Sequence, residues 1–302
     1  MSLRINNNVE ALNAQRNLAQ NDKMLAKSIE RLSSGQKINR GGDGPASLVI
    51  SEGLRAQVAS LQQAAENNES AISMVQTAEG ALNEVSRLLV DIRQRAVAAA
   101  NTGVNDNNMV IATQKEIENA LDTIDRISKN TRFADRNLLD GSNSGTFQIG
   151  TYQDTPENQI ATAKRGQISS QTASIELPNI ATNELAKGVQ NNSGFASLAD
   201  IDVTAEGGAQ SAMAVVDQAI SEVTTHRGSL GAFQKNTLES NLTSLRVATE
   251  NLTAAESNIR DADVAVELAA FTRNQIMTQS ATAQVAQANA MSQNVARLLS
   301  AQ

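Results

Sequence analysis

His226 is the only histidine in the 302-residue chain, and cysteine is absent. A Ser-His-Asp triad would have to recruit His226, and no G-x-S-x-G precedes it. H-E-x-x-H is missing, so a hydrolytic zinc site lacks its ligands. Without thiols, disulfides and thiolate metal sites are excluded. Asp261 and Asp263 lie close together, but Arg260 flanks them, so a surface ion-pair role is expected in place of acid–base work. Asp122 and Asp125 read as solvated, and there is no Rossmann fingerprint. The run LSSGQKINRGGDGPASLVISEGLR at 32–55 holds Gly35, Gly41, Gly42, Gly44 and Pro45. Glycine-rich turns at a helix start can cradle phosphate. Here no G-x-x-x-x-G-K-S/T is present and no strand precedes the turn. The expectation is a structural corner in a chain that is not an enzyme and needs neither cofactor nor metal. A hydrolase built on His226 is the enzyme rival, and His226→Ala discriminates it.

Composition agrees with a non-catalytic chain. Hydrophobic residues make up 40% and aromatics only 2%, with no Trp, one Tyr (Tyr152) and five Phe, and residues 1–132 have no aromatic. Compact cores usually use aromatics to fill volume. Ala, Leu, Ile and Val at helical spacing instead indicate thin helix-on-helix seams. The net charge of −7 argues against nucleic acid as the main partner. Residues 1–42 carry +4 and residues 268–302 carry +2, which leaves −13 for the rest. No stretch approaches the roughly 18 apolar residues of a membrane span. The first residues, MSLRINNNVEALNAQR, lack the apolar core of a secretory signal.

The elements that carry these residues are long. Ile5, Val9, Leu12, Leu18, Leu25, Ile29 and Leu32 form an amphipathic strip, and Gly35 is placed to stop it. Gly41, Gly42 and Gly44 permit backbone angles that other residues resist. Asp43 can cap free N–H groups, and Pro45 suits a first helical turn. From Leu54 to Ala96 apolar residues alternate spacings of four and three, through Ala65, Asn68, Ile72 and Glu79, where Asn68 and Glu79 are polar breaks. A helix from Pro45 to Ala99 would be about 80 Å long. A compact domain of this size is about 50 Å across, so a rod is expected. A second helix at about Met109–Lys129 turns Ile117, Leu121, Ile124 and Ile127 inward. TFQIGTY alternates like a strand, so a small β-hairpin region is expected between 137 and 175. Residues 176–207 are polar, with little to fix a fold. Helix returns over about Ala209–Thr225, and again from near Ser229 through Leu238, Leu242, Leu245, Leu252 and Ile259. A last strip holds Met277, Ala281, Val285, Ala288, Met291, Val295 and Leu298.

The expected fold is thus mainly α: an elongated antiparallel helical bundle or coiled coil drawn from both chain ends, with a small β-hairpin region between. The expected organisation is a terminal assembly strip at 1–42, rod helices at 43–140, a short variable region at 141–208, rod helices at 209–265 and a second assembly strip at 266–302. Neither strip looks self-sufficient. They either pair with each other within one chain, or stay mobile and become ordered between copies.

Two stretches resemble bacterial flagellin. One is INNNVEALNAQRNL…SIERLSSGQKINRGGDGPASLVISEGLRAQ, and the other is VTTHRGSLGAFQKNTLESNL…AAESNIRDADVAVELAAFTRNQIM…QANAMSQNVARLL. RLSSG-x-x-IN before the corner and SxIxDADxAxE before the last strip are the most specific motifs. The resemblance implies a structural subunit that polymerises with itself into the extracellular flagellar filament for motility, its two strips forming the inner tube. It implies export through the flagellum's own channel without a cleaved signal. It also implies an export chaperone masking the C-terminal strip, a distal cap, and hook-junction neighbours, with no nucleic acid or membrane partner. Members sensed by the mammalian toll-like receptor for flagellin resemble Q-R-V/I-R-E-L-A-V on the long helix. An Arg of that pattern is Asp91 here and a Leu is Arg95, while Glu116 on the next helix matches, so weak recognition is expected. A hook–filament junction protein is the nearest rival, and a soluble coiled-coil scaffold is a more distant one.

Overall fold

The computed structural model describes residues 8–101, 103–142, 144–150, 172–189 and 193–300, with side chains as far as residue 291. Its helices are α1 (Val9–Ser34), α2 (Pro45–Ala99), α3 (Asn107–Asn130), α4 (Gly208–Phe233), α5 (Ser240–Arg260) and α6 (Val264–Ser300). Two antiparallel hairpins lie between α3 and α4: β1 (Arg132–Phe133) with β2 (Arg136–Asn137), and β3 (Ser144–Gln148) with β4 (Thr172–Glu176). In the second, Ser144 faces Glu176 and Gln148 faces Thr172. The chain forms two compact units, one of residues 1–58 with 250–302 and one of residues 59–249.

The unit of residues 59–249 holds a continuous apolar core. Along α2 the buried positions of this unit are Leu61, Ala64, Asn68, Ala71, Met74, Val75, Ala78, Leu82, Val85, Leu89, Ile92, Ala96 and Ala99. Apart from Met74, which widens the buried face, their spacing alternates three and four, the pattern of a helix seam. The sequence reading put Ala65, Ile72 and Glu79 on this face; the structure instead buries Ala64, Ala71 and Ala78 and leaves the other three half-covered. Alanine admits a facing helix closely, and Glu79 keeps its carboxylate near water. Asn68 is a real break in the stripe: it is fully buried, and its Nδ2 donates to Ala64 O at 3.0 Å. On α3, Ile117, Leu121 and Ile124 are buried, with Ser128 in place of the expected Ile127. The Ser128 hydroxyl donates to Leu139 O at 2.8 Å.

The helical break expected near residues 226–228 does not occur. α4 runs through Gly228 and Gly231, then passes through a π-helical turn at Gln234–Glu239 directly into α5. Each glycine costs only about 1 kcal/mol relative to alanine, and buried Val223 and Leu230 anchor both sides. The π turn has a counterpart in the sequence. Ala209, Val216, Val223 and Leu230 recur every seven residues, as do Leu238, Leu245, Leu252 and Ile259, but Leu230 and Leu238 are eight apart. A turn with one extra residue keeps both series on one face. Gln234 and Glu239, five apart, are hydrogen bonded at 2.9 Å across it.

The polar stretch at 176–207 is far better fixed than its composition suggested. Leu177, Ile180, Leu185, Leu198, Ile201 and Val203 are buried in the core. Side chains from the helices receive its backbone. Asp125 accepts from Thr182 N at 2.8 Å and Glu222 from Ala186 N at 2.9 Å. Gln114 donates to Ile201 O and accepts from Val203 N, both at 3.0 Å. Asp125 is therefore a structural acceptor, not a solvated carboxylate. At the start of α4, Gly208 is obligatory: a Cβ there would lie 2.1 Å from Asp202 O. The β1–β2 hairpin was not expected. Tyr152 and the rest of 151–171 lie outside the described residues.

Candidate functional site

The two most specific sequence motifs meet in space. α1 ends at Gly35, whose φ of 69° is left-handed and adopted most readily by glycine. Its carbonyl accepts from Ala262 N at 2.9 Å, while Lys37 N donates to Arg260 O at 2.7 Å. Gln36 and Asp261 thus form an isolated antiparallel bridge between the segment after α1 and the one before α6. Arg260 secures it. Its guanidinium is largely buried and reaches Gln36 Oε1 at 3.2 Å and Glu52 Oε1 at 2.5 Å. The Arg260 contact holds the Glu52 carboxyl below its ordinary pKa.

The glycines at 41, 42 and 44 permit unusual backbone angles but do not use the left-handed region here. None has a positive-φ backbone of the kind that excludes side chains, and a Cβ would meet nothing closer than 3.7 Å at any of them. Asp43 organises this turn instead. It accepts from Arg40 N at 3.1 Å and Asn39 N at 3.3 Å, and pairs with Lys27 at 2.7 Å. The Lys27 hydrogen bond, then that of Arg40 N, lower its pKa from 3.8 to about 2. Nor are Asp261 and Asp263 the surface ion-pair residues expected. Asp263 caps α6, accepting from Ala265 N at 2.9 Å, and Asp261 accepts from Ser257 Oγ at 2.6 Å.

Beyond the corner, α1 and α6 pair with each other, which is one of the two arrangements the sequence left open. The seam of α1 is Ala11, Ala14, Leu18, Asn21, Leu25, Ser28 and Leu32, of which Ala14, Asn21 and Ser28 are buried and the rest half-covered. On α6, Ala281 and Glu267 are buried, and Asn274, Val285 and Ala288 are half-covered. Polar links cross the seam: Asn8 Nδ2 to Ala288 O at 3.0 Å, Asn21 Nδ2 to Met277 O at 3.3 Å, Asn274 Nδ2 to Ser28 Oγ at 3.0 Å, and Arg31 to Glu267 at 3.7 Å.

The pairing divides the sequence-derived strip residues. Leu18, Leu25, Leu32 and Val285 line the seam. Val9 and Leu12 are each 56% exposed, Ile29 49%, Met277 49% and Met291 52%. Met24 and Ile276 are exposed as well, and the sequence reading missed both. Ile5 and the side chains of Val295 and Leu298 lie outside the described residues. On α2, Asp91 is exposed, and Arg95 forms an ion pair with Glu116 of α3. His226 lies half-covered within α4. Among the described residues there is no group of three or more His, Asp or Glu placed to hold a metal, and no helix is long and apolar enough to cross a membrane.

Comparison with known proteins matches the sequence to a family. Residues 5–144 match the bacterial flagellin N-terminal helical region, and residues 213–299 match the bacterial flagellin C-terminal helical region. The chain belongs to the bacterial flagellin family. Flagellin from Bacillus subtilis strain 168 is 40% identical, covering 98% of this chain and 100% of the relative. The flagellar filament 30.7 kDa core protein of Treponema maltophilum is 35% identical, covering 98% and 99%. A solved chain described as a flagellar hook-associated protein of Vibrio parahaemolyticus superposes with a TM-score of 0.58 over 72% of this chain and all of that one. At 12% identity that likeness speaks to fold alone. This flagellin is a self-polymerising structural subunit of the flagellar filament.

Proposed function

We propose that the chain polymerises by laying a second apolar stripe, left uncovered when α1 pairs with α6, against neighbouring copies. Val9, Leu12, Ile29, Met277 and Met291 supply the direct contacts. Leu18, Leu25, Leu32 and Val285 act through the pairing itself, and Ile5, Val295 and Leu298 extend the interface toward the chain ends. The observation that carries this reading is the set of large apolar side chains left exposed on two helices that already have a partner. Large apolar side chains exposed together mark an interaction face. Its burial by sister copies offsets the entropy of ordering the ends. Electron microscopy of the purified chain after addition of filament seeds tests it. Long tubes are expected, and an unchanged seed length would refute the reading.

The remaining roles follow from the family and the same surface. The chain carries out no catalysis of its own. It leaves the cell through the flagellar channel, attended by a chaperone that masks the apolar face of α6 and by a cap that folds it at the distal tip, next to hook-junction proteins at the base. Recognition by the mammalian toll-like receptor for flagellin is weak. Asp91 reverses a charge of the sensed pattern, and Arg95 both replaces an apolar anchor and engages Glu116. A full response of a receptor reporter cell to ordinary doses of the monomer would refute that.

A further inference from the structure

With cysteine absent, the only sulfur in the chain is the thioether of its seven methionines. The described ones fall into two sets. Met74 is 6% exposed in the core, and Met213 is half-covered against it. Met24, Met109, Met277 and Met291 are 41%, 56%, 49% and 52% exposed. Exposure decides which thioethers an oxidant reaches, so the second set is the reactive one. Within it, Met277 and Met291 lie two heptads apart on α6 and share one face of that helix. The thirteen residues between them carry no charge, and Val285 is their one large apolar side chain. With Ile276, which is also exposed, the two methionines are therefore the main apolar groups that this stretch can offer a neighbour. Their access does not depend on how the chain ends stand before assembly, because a helix without a partner or an unfolded end covers them less than α6 does here.

We propose that Met277 and Met291 are oxidation sites that control polymerisation, with hydrogen peroxide as the oxidant. This rests on the filament reading above, which sets both side chains against neighbouring copies. The sulfur lone pair attacks one peroxide oxygen and the O–O bond breaks. The proton of the transferred oxygen passes to the departing hydroxide, which leaves as water. Sulfur loses two electrons and the peroxide gains them. The sulfoxide oxygen is a hydrogen-bond acceptor that water satisfies and an apolar contact does not. The free subunit therefore tolerates the change and the polymer does not. Each sulfoxide should raise the critical concentration about tenfold, and the two together about a hundredfold. Sulfoxide reductases, one for each epimer, return the thioether, so the block is reversible while the subunit is free. Within the polymer, burial shields the same sulfurs.

Partial oxidation provides an internal test. The purified full chain is oxidised in part with hydrogen peroxide, mixed with filament seeds and pelleted. Peptide mass spectrometry then gives the sulfoxide fraction at each methionine in pellet and supernatant. At Met277 and Met291 the supernatant should be enriched about tenfold over the pellet, and at Met109, on α3, the two should be equal. Equal fractions at both Met277 and Met291 overturn the proposal. So does the same enrichment at Met109, which would trace the loss to general damage. In the free chain Met277 and Met291 should oxidise several-fold faster than Met74, and equal rates also overturn it. Met277→Leu with Met291→Leu keeps the apolar volume and removes both sulfurs. Its critical concentration should stay within about threefold after peroxide, although Met24 and Met109 are oxidised in it. Sensitivity equal to that of the native chain overturns the assignment. If the double variant does not extend seeds untreated, the sorting of native sulfoxides decides. Untreated native chains that never extend seeds would count against the filament reading. Native chains that extend them while sulfoxides enter the pellet freely would count against this proposal alone.

Discussion

Substituting Leu12 or Ile29 by Asp should abolish growth of the polymer while leaving the single chain intact. Leu12 is 56% and Ile29 49% exposed on the free face of α1. Full burial of such a side chain is worth about 1.5–3 kcal/mol, so about 1 kcal/mol remains to be gained from neighbouring copies at each position. An aspartate forfeits that and adds the desolvation of an unpaired carboxylate, at least about 2 kcal/mol on protein scales. The sum of about 3 kcal/mol corresponds to a rise of roughly a hundredfold in critical concentration. The melting of the unpolymerised chain should change little, because exposed substitutions usually stay within about 0.5 kcal/mol. Pelleting of seeded reactions over a concentration series gives the critical concentration, and circular dichroism gives the melt. Leu25→Asp is the contrast: half-covered in the seam, it should weaken the α1–α6 pairing as well as growth. Critical concentrations within threefold of the native chain for both Leu12→Asp and Ile29→Asp would show that this face is not buried in the filament.

Three other outcomes follow from the structure. The folded pKa of Asp43, about 2, lies below its ordinary 3.8, so its contribution is complete above pH 3.8 and fades as pH falls toward 2; acid titration of Asp43→Asn should lack that component of the transition and start from lower stability near neutral pH. Deleting Lys235 restores the seven-residue spacing between Leu230 and Leu238 and should convert the π turn to α-helix; a gain of about one backbone hydrogen bond, about 1 kcal/mol, would raise the melting temperature by about 2–4 °C in calorimetry. Ser128→Ala removes one of the two donors to the buried Leu139 carbonyl, leaving Ile180 N at 3.1 Å, and should cost about 0.5–1.5 kcal/mol in urea unfolding.

Helix existence was readable wherever the apolar period was strong. The bounds of α2 were evident in Pro45 and in the turn residues after Ala99, because a fixed φ at the first turn and a polar run at the end act locally. The inward face was less readable. Ala64 and Ala65, or Ala71 and Ile72, are neighbours of similar apolarity, and only the facing helix decides which one is buried. The fold of 176–207 was hidden for a different reason. Its stability comes from Asp125, Gln114 and Glu222, which lie far away in sequence and donate to or accept from its backbone. No local pattern announces such contacts. The corner shows the same limit: glycine at 41, 42 and 44 drew attention, while the decisive contacts of Arg260 with Gln36 and Glu52 span 224 and 208 residues.

The two units differ in what they bury, and the difference bears on function. In the unit of residues 59–249 the core is built from Leu, Ile and Val, with Leu82, Leu89, Ile92, Ile117, Ile124 and Leu238 fully covered. In the other unit the buried apolar side chains, among the described residues, are Ala14, Ile38 and Ala281, none of them fully covered. Two alanines and one isoleucine bring little transfer free energy, and the same interior must accommodate Asn21, Ser28 and Glu267. Helices as long as α1 and α6 cannot draw their order from that seam alone, since helix formation in water relies on packing an apolar face. Leu18, Leu25 and Leu32 lie in that seam only half-covered, and Leu12, Ile29, Met277 and Met291 are left exposed by the chain itself. A sequence selected for a self-contained fold would bury such side chains within one chain. On the proposed reading, their incomplete cover leaves full order at the chain ends to neighbours and so couples the folding of these helices to growth of the polymer.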